Sequence, residues 1–419
     1  MNVWFVHHYA VTPGRSGGTR HFSVARALVR QGHRVTIVAS SYHYQTRSET
    51  TAYDARGEAR ETIDGVDFLW VRTTPYSGNS VRRLLNMLSF ARAALRSPTL
   101  RALPRPDVIL GSSPNPFAAL AGQWLAARHG CRFVYEVRDI WPQSLVELGR
   151  MSPWHPLIQL LGWIERRCCR RADRIITLLP HSADHLVSRG ARRERVTCVP
   201  NGVDLSMVGP ATPPAASDTV TVMYAGAHGT ANNLETLVRA AGRLARTPGA
   251  EHVRVRMVGD GPELPRLREL AASVGATNIA FEPAVPKQEV YARLREADIF
   301  VMILRDSPVF RWGVSPNKLF DYLSVGRPVV FAVNVPTNIV AEAGAGLSAN
   351  PTDDASLADA ILALARRSPA ERWAMGQRGR AYVETHHDIE GLARRFGDAL
   401  TGANREPAPS ATESVPIRA

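Results

Sequence analysis

The chain alternates short apolar runs with amphipathic stretches of helical length, and it does so in two separate series. In the first series, apolar runs at residues 3–6 and 35–38 flank a helical stretch at residues 19–31. The second series begins at residue 220, after a segment at residues 206–218 that is rich in Pro and Ala. Strands that alternate with helices form parallel sheets, because each helix crosses over the sheet between two strands. The pattern therefore predicts an α/β protein with two facing, doubly wound domains and a cleft between them.

Length and composition fit a globular protein of this kind. The chain has 419 residues, of which 45% are hydrophobic and 21% are charged, and this length is sufficient for two domains. No apolar run approaches the roughly 18–20 residues that span a bilayer, and the first residues do not have the features of a signal peptide. The four cysteines include no C-x-x-C pair, which favours reduced thiols and a cytoplasmic location.

The net charge of +13 comes mostly from arginine, and such a surface suits nucleic acid, an anionic membrane or phosphorylated small molecules. Zinc-finger spacing, an RNA-recognition motif and an isolated basic tail are all missing from the sequence, so nucleic acid is not expected as a partner. Two helical stretches, at residues 80–95 and 154–171, are both basic and amphipathic. Each can lie on a membrane surface as a peripheral contact, or can pack its apolar side into the domain. The sequence leaves both interpretations open.

Residues 315–330 hold the most informative segment of the chain. Pro316 fits the first turn of a helix, and Gly326 fits the position just after its end. The free N–H groups at the start of such a helix bind phosphate, and Lys318 adds positive charge there. One turn later, the carboxylate of Asp321 can accept two hydrogen bonds from a vicinal diol. Phosphate and diol together indicate a nucleotide-sugar, although an ordinary capped helix between two strands has the same local pattern.

This segment resembles the donor-site helix of the retaining GT-B glycosyltransferases of family 4, and is most similar to the subgroup with the bacterial N-acetylfucosamine transferases. The family places two glutamates eight positions apart; Asp321 stands at the second position and Gly313 at the first. The resemblance implies a ribose-binding role for Asp321 and none for Gly313. It extends over nearly all of residues 1–400. It implies two Rossmann-like domains, residues 1–205 for the acceptor and 219–387 for the donor, with a linker at 206–218.

Two boundaries concern the end of the chain. In a GT-B protein, a final helix at residues 388–402 is expected to cross back onto the first domain. Residues 403–419 are mostly Pro, Ser, Glu and Ala, and this composition predicts a disordered tail.

Residues 136–142 of the first domain, Glu-Val-Arg-Asp-Ile-Trp-Pro, are also similar to that subgroup. They follow an apolar strand, and ligands of an open parallel sheet bind beyond the carboxyl ends of its strands. We therefore expect Arg138 and Asp139 to face the cleft as catalytic residues, with a purely structural ion pair as the alternative. Many family members have a histidine near the position of Arg138 that contacts the donor sugar. Which group takes this part here stays open.

The loop before the first helix resembles the family's Gly-Gly loop. The resemblance implies that Gly17 and Gly18 lie beside the donor phosphates, near the acceptor. On the same basis His8, Arg15 and Asn201 are expected to contact the acceptor.

In the second domain, the resemblance assigns the donor to strand ends and loops. Relatives have Arg and Lys at the positions of Ala227 and Asn232, so phosphate recognition is expected to fall to backbone amides and Lys318. Leu264 replaces the third glycine of a dinucleotide fingerprint, so NAD is not supported. The expected donor-binding residues here are Gly226, His228, Gly229, Gly259, Asp260, Gly261, Val285, Arg311, Ser315, Pro316, Asn317 and Leu319.

These observations predict a glycosyltransferase that moves a sugar from a nucleotide-sugar, expected to be UDP-linked, to a hydroxyl of an acceptor such as a lipid-linked glycan. An N-acetylhexosamine or a deoxyhexose is the expected sugar. The expected catalytic residues are Arg138, Asp139, Lys318 and Asp321. The sequence has no D-x-D motif, so positive charge from Lys318 and the helix start must offset leaving-group charge without a metal. The nucleotide-sugar is a co-substrate, and no cofactor is expected. The resemblance implies retention of configuration through attack on the same face.

Two other functions remain open. A small-molecule glycosyltransferase would act on a natural product, a thiol or a cyclitol. A non-catalytic subunit that only binds nucleotide-sugar is suggested by the missing glutamate at Gly313. A nucleotide-sugar 2-epimerase would share the fold, but the two segments at residues 138–142 and 317–322 argue against it.

Overall fold

The computed structural model describes residues 1–14, 17–43, 46–76, 78, 81–215 and 217–402. Its strands form two separate sheets, one from the first half of the chain and one from the second. Helices cover both faces of each sheet, so the predicted pair of doubly wound α/β domains is confirmed. Arg15 and the predicted tail at residues 403–419 lie outside the described residues.

The first sheet has eight strands in the order β3-β4-β2-β1-β5-β6-β7-β8. The strands are β1 (Asn2–Val6), β2 (Arg34–Ser40), β3 (Glu58–Ile63), β4 (Val66–Val71), β5 (Val108–Ser112), β6 (Arg132–Val137), β7 (Arg174–Thr177) and β8 (Val196–Cys198). The helices are α1 (Arg20–Arg30), α2 (Val81–Arg96), α3 (Pro98–Ala102), α4 (Pro116–His129), α5 (Gln143–Glu147), α6 (Pro156–Arg171) and α7 (Ala183–Ser188). Adjacent strands are parallel except β3 and β4, which are antiparallel.

The edge strand β3 lies in a polar stretch, residues 41–65, for which the sequence analysis predicted no strand. Strand β3 pairs with β4 through a tight turn at Asp64 and Gly65, whose φ angles are 49° and 80°. Two successive residues with positive φ form the turn that matches the twist of a hairpin, and Asp-Gly is a common sequence for it. The strand is mostly polar because an edge strand with one solvated face needs few apolar residues.

The second sheet has six strands in the order β11-β10-β9-β12-β13-β14, all parallel. The strands are β9 (Val220–Ala225), β10 (Val253–Val258), β11 (Ile279–Glu282), β12 (Ile299–Ile303), β13 (Val329–Ala332) and β14 (Gly346–Ser348). The helices of the second half are α8 (Leu205–Val208), α9 (Leu234–Leu244), α10 (Leu264–Ser273), α11 (Val290–Leu294), α12 (Asn317–Ser324), α13 (Ile339–Glu342), α14 (Asp354–Ala365), α15 (Pro369–His386) and α16 (Ile389–Thr401).

The last helix, α16, packs on the first domain although it follows the second in sequence. It lies against α1 and β7, and the ring of Phe396 contacts Phe5 of β1 at 5.7 Å between centroids. Phe396 is buried in the core between α1 and the first sheet.

A segment of the second domain in turn packs into the first. The 3₁₀ helix Pro308–Trp312 places Val309 and Trp312 in the core cluster of the first domain. The Trp312 ring lies 4.9 Å from the ring of His185. These contacts hold the carboxyl ends of the two sheets on opposite sides of one cleft. Among the described helices, none is both long and apolar enough to cross a membrane.

Candidate active site

The start of α12 lies at the cleft. Pro316 is the N-cap with extended backbone (φ −77°, ψ 124°), and the helix begins at Asn317, one residue later than the sequence predicted. Ser315, Pro316 and Asn317 line a cavity of about 310 Å³ whose opposite wall includes Arg138 and Asp139 of the first domain. The first N–H groups of a helix have no intrahelical acceptor, so this end of the cavity favours an anion.

Lys318, the second residue of α12, is held by two polar side chains of the second domain. Its Nζ donates to the Tyr224 hydroxyl at 2.7 Å and to Asn232 Oδ1 at 2.6 Å. Because these partners are neutral, burial is uncompensated and lowers the pKa of Lys318 to about 7. The amine lies beside Gly226, where an added Cβ would be 3.3 Å from Nζ. A diphosphate at this position would give the Lys318 amine a negatively charged partner, in addition to the neutral Tyr224 and Asn232.

Asp321 faces a second cavity between the domains, of about 250 Å³. Its Oδ1 accepts a hydrogen bond of 2.9 Å from the Tyr291 hydroxyl. Val285 and Val290 supply apolar surface to the same cavity, and Gly17 of the first domain closes it. A carboxylate beside an apolar wall suits a ribose and its base. Leu319, also predicted to bind the donor, is instead fully buried in the core of the second domain.

The predicted diphosphate loops after β9 and β10 pack tightly on each other. A Cβ on Gly259, whose φ is 147°, would lie 2.0 Å from the Gly226 carbonyl oxygen. His228 is fully buried, and its backbone N–H donates to the Asp260 carbonyl at 2.8 Å. Gly261 allows the same close approach at His228, and Gly229 begins the 3₁₀ turn that holds Asn232. These residues build the loops around Lys318.

Arg138 extends from the end of β6 into the cleft. Its guanidinium donates to His7 Nε2 at 3.1 Å, so that ring nitrogen carries no proton. Burial lowers the pKa of His7 well below its usual range, and the nearby charges of His21 and Arg138 act in the same direction. Asp139 is exposed to the cleft, but the protein around it raises the pKa of its carboxyl while Arg138 opposes the shift.

A buried ion network supports this wall from below. Glu136 is fully buried, and its carboxylate contacts His21 Nε2 at 2.6 Å, Ser112 Oγ at 2.6 Å and Arg20 Nε at 3.3 Å. Burial alone would raise the pKa of Glu136, but His21 and Arg20 hold it well below its usual range. The His21 ring stacks on His7 with 3.8 Å between centroids. The network therefore connects the start of α1 to Arg138.

The three predicted acceptor-binding residues have different places. Arg15 lies outside the described residues. His8 is only 2% exposed, stacks on Tyr9 and Phe90, and contacts the Asn115 amide at 3.0 Å through Nδ1. Asn201 joins the domains, because its backbone N–H donates to Ser315 Oγ at 2.7 Å.

Gly18 lies between the two walls of the cleft, and Gly313 at a contact between the domains. A Cβ on Gly18 would be 3.6 Å from the Arg138 guanidinium. Gly313 has a φ of 86°, and a Cβ there would be only 2.7 Å from Pro180 Cδ. A glutamate at position 313 would collide with the first domain. This contact gives a physical reason for the missing first glutamate.

Arg311, predicted to bind the donor, pairs across the domains. It donates to both oxygens of Glu147 at 2.9 and 3.0 Å and lies over the Trp312 ring at 3.7 Å. In this arrangement Arg311 holds the 3₁₀ helix against α5.

Several residues of the site escaped the sequence analysis. Tyr224 and Tyr291 each lie far in sequence from the α12 residues they bind, and no local motif marks them. His7 could have been found, since it follows β1 directly and ligands bind beyond the carboxyl ends of parallel strands.

Comparison with known protein families assigns both domains of the chain. The family model described as "Glycosyl transferase 4-like domain" matches residues 17–202, and that described as "Glycosyl transferases group 1" matches residues 219–367. The chain belongs to the group 1 glycosyltransferases. Together the two matches cover most of the chain, one for each domain of the GT-B fold.

Relatives of this glycosyltransferase are bacterial. The chain is 24% identical over 326 residues to the putative colanic acid biosynthesis glycosyl transferase WcaI of Escherichia coli K12, covering 74% of this chain and 78% of the relative. It is 29% identical over 313 residues to the D-inositol 3-phosphate glycosyltransferase of Nocardia farcinica, covering 66% of this chain and 65% of the relative.

Solved structures share the fold of this glycosyltransferase. Sucrose-phosphate synthase from Thermosynechococcus elongatus superposes with a TM-score of 0.76 at 16% identity, over 96% of this chain and all of that one. Anabaena HepE in complex with UDP and glucose superposes with a TM-score of 0.66 at 16% identity, with the same coverage.

Proposed function

We propose that this group 1 glycosyltransferase transfers a sugar from a UDP-linked donor to a hydroxyl of a lipid-linked glycan, with retention of configuration. The main support is the position of α12. Ser315, Pro316 and Asn317 at its start face Arg138 and Asp139 across one cavity, and Asp321 faces the adjoining cavity. Lys318 lies just behind this start, beside Gly226. An anion site and a diol site within one helix match the two ends of a nucleotide-sugar. UDP as the nucleotide draws support from HepE, whose fold is shared and which was solved with UDP.

In this proposal the donor lies along the second domain. The ribose hydroxyls donate to Asp321, which also accepts a hydrogen bond from Tyr291, and the base lies beside Val285. The diphosphate binds at the start of α12. There the Lys318 amine donates to the diphosphate in place of Tyr224 and Asn232. The sugar then projects into the 310 Å³ cavity toward Arg138 and Asp139. The sugar is proposed to be an N-acetylhexosamine or a deoxyhexose because of the resemblance to the N-acetylfucosamine transferase subgroup.

The proposed reaction needs no protein nucleophile. The acceptor oxygen bonds to the anomeric carbon on the face from which the phosphate oxygen leaves, and the acceptor proton passes to that phosphate. Lys318 and the helix start offset the charge on the leaving diphosphate, a role for which no metal or further cofactor is invoked. Arg138, fixed by His7, contacts the sugar where many relatives have a histidine, and Asp139 orients the acceptor hydroxyl.

The decisive test is calorimetric titration of nucleotides and nucleotide-sugars into the wild type and Asp321→Asn. We expect the wild type to bind UDP and its sugar donor, and Asp321→Asn to bind about 10- to 100-fold more weakly, since hydrogen bonds to a charged group contribute about 1.5–3 kcal/mol. Asp306→Asn, on the exposed loop after β12, is the matched control. Equal affinity of Asp321→Asn and wild type would remove the ribose assignment.

We also propose that the protein works at the inner surface of an anionic membrane. Helix α4 packs between α2 and α6, and the three helices expose large apolar side chains: Leu85, Leu88, Trp124, Leu160 and Trp163. Helices α2 and α6 contain eight arginines and a single carboxylate, Glu165, which is buried. Apolar side chains among arginines fit the boundary of an anionic bilayer.

The second candidate, a small-molecule glycosyltransferase, predicts no such contact. Its support is the similarity to D-inositol 3-phosphate glycosyltransferases. Co-sedimentation with vesicles separates the two functions. Binding to phosphatidylglycerol vesicles but not to phosphatidylcholine vesicles favours the lipid-linked acceptor, whereas protein that stays in solution with both favours the small molecule.

A further inference from the structure

A third cavity, of about 320 Å³, lies within the first domain beside the cleft. Its wall includes Arg47, Arg83 and Arg138, with Tyr9 and Tyr76 between them. We infer that this cavity binds a phosphate or diphosphate group of the acceptor, and that Arg83 and Arg47 are its anchors. The inference rests on the proposed function, because it names the chemical class of the acceptor for that reaction.

The charge of the cavity wall supports an anion with more than one negative charge. Among the described residues of this wall, three have guanidinium groups and one, Asp139, has a carboxylate. Arg83 interacts with the Tyr9 hydroxyl, and Tyr9 lines the same cavity, so the guanidinium lies at the cavity wall. The positive charge of Arg83 also affects His8. Burial is the main cause that lowers the pKa of His8 to about 3, and the charge of Arg83 acts in the same direction. Guanidinium groups bind phosphate through paired hydrogen bonds.

The position of the cavity fits an acceptor whose reacting sugar follows its phosphate. Arg138 and Asp139 line both this cavity and the 310 Å³ cavity at the start of α12. A phosphate held at Arg47 and Arg83 would therefore place the attached sugar where the two cavities meet. That junction is where the acceptor hydroxyl must reach the donor sugar.

The helix that bears Arg83 indicates how the phosphate is attached. Val81, Leu85 and Leu88 form an exposed apolar stripe on α2, with Val81 73% exposed. The stripe begins at the same end of the helix as Arg83. A hydrocarbon chain attached to the phosphate can lie along this stripe and extend toward a membrane. A lipid diphosphate therefore fits both the cavity and its surroundings.

The inference is tested by binding of farnesyl diphosphate to the full-length protein, followed by tryptophan fluorescence, with the protein saturated with UDP so that the donor site is filled. Inorganic pyrophosphate, farnesol and glucuronate are titrated in parallel. We expect farnesyl diphosphate to bind, and Arg83→Gln and Arg47→Gln to weaken it about 10- to 100-fold each, as for a lost charged hydrogen bond. Arg82→Gln, the exposed neighbour on the same helix, should bind as the wild type does. Thermal melting of each variant checks that it is folded.

The titrations also distinguish the source of the phosphate. Farnesyl diphosphate binding more tightly than pyrophosphate supports a lipid-linked acceptor, and equal affinities support the same phosphate site for a soluble acceptor. Farnesol or glucuronate binding as tightly as farnesyl diphosphate, or an unchanged affinity in Arg83→Gln, would overturn the inference. Titration of UDP alone is a separate measurement, so a protein that binds farnesyl diphosphate but no nucleotide would disprove the proposed function and leave this site standing.

Discussion

The two walls of the cleft are built in different ways. The second-domain wall comes mainly from seven consecutive residues, 315–321, on one turn and one helix, completed by Tyr224 and Tyr291. The first-domain wall combines the ends of β1, β5 and β6 with the start of α1, joined through Glu136. A local wall can keep its geometry when one contact is lost, because the helix holds its side chains in order. An assembled wall depends on the buried charge that joins its parts.

The largest expected effect is on the assembled wall. Glu136→Gln removes the negative charge beside buried Arg20 and His21 while keeping the shape of the side chain. We expect the free energy of unfolding to fall by about 3–5 kcal/mol, the cost of breaking a buried pair, as measured by urea denaturation. Glu194→Gln, at an exposed site, is the control.

The pH dependence provides a second readout of the same pair. The pKa of Glu136 is depressed in the folded protein. Its ionised carboxylate therefore adds fully to the free energy of unfolding above the unfolded pKa of about 4.3, and this contribution is lost as the pH falls toward the folded pKa. Glu136→Gln should lack this contribution. A variant as stable as the wild type at neutral pH would show that the first wall does not depend on Glu136.

The next effect concerns Lys318 in the local wall. Lys318→Ala should lower turnover about 100- to 1,000-fold, the range for losing one donor to a developing charge, while its melting temperature stays close to that of the wild type. Steady-state kinetics with the sugar donor provide the measurement, and Arg239→Ala, at an exposed position of α9, is the control. A wild-type rate would remove Lys318 from phosphate recognition.

The lowered pKa of Lys318, about 7, also predicts how donor affinity varies with pH. Below pH 7 the amine is already protonated and attracts the diphosphate. Above pH 7 binding must take up a proton, so affinity should fall by up to about tenfold per pH unit. Calorimetry at pH 8 in buffers of different ionisation enthalpy should detect this uptake in the wild type and not in Lys318→Ala.

A smaller effect tests the contact between the walls. Gly313→Ala adds a Cβ close to Pro180 at a positive φ, and strain of this kind costs about 1–3 kcal/mol. We expect a lower melting temperature by differential scanning calorimetry. Gly229→Ala is the control, because its φ is −108° and the nearest atom to an added Cβ is 3.9 Å away. Equal melting temperatures would mean that the domains separate easily at this point.

The smallest effect is expected at the ion pair between Arg311 and Glu147. Arg311 is nearly half exposed, and exposed pairs contribute about 0–1 kcal/mol. Arg311→Gln should therefore change the melting temperature little, and donor affinity should remain within about twofold if Arg311 only joins the domains. A large loss of donor affinity, compared with Arg305→Gln, would instead restore the donor-binding role that the sequence suggested.

Much of the fold could be predicted from the sequence because parallel strands buried on both faces are continuous apolar runs. The strand β3 was missed because a polar edge strand lacks that pattern. In the candidate site, Lys318 and Asp321 were predicted from their spacing on one helix, and the structure places both at the cleft side of the second domain. Arg311 was expected to face the donor because it follows a strand, and only the structure shows its pairing with Glu147.

By itself, the sequence determined the two α/β domains, the helix that holds Lys318 and Asp321, and the class of enzyme, because these depend on periodicity and on neighbours within a few residues. Tertiary structure alone decided which distant groups complete the site: Tyr291 at Asp321, Glu136 beneath Arg138, and Pro180 against Gly313. Contacts of this kind depend on where the chain returns after many residues. Burial in these contacts then shifts the pKa values of the groups. Neither the contacts nor the burial can be read from a local sequence pattern.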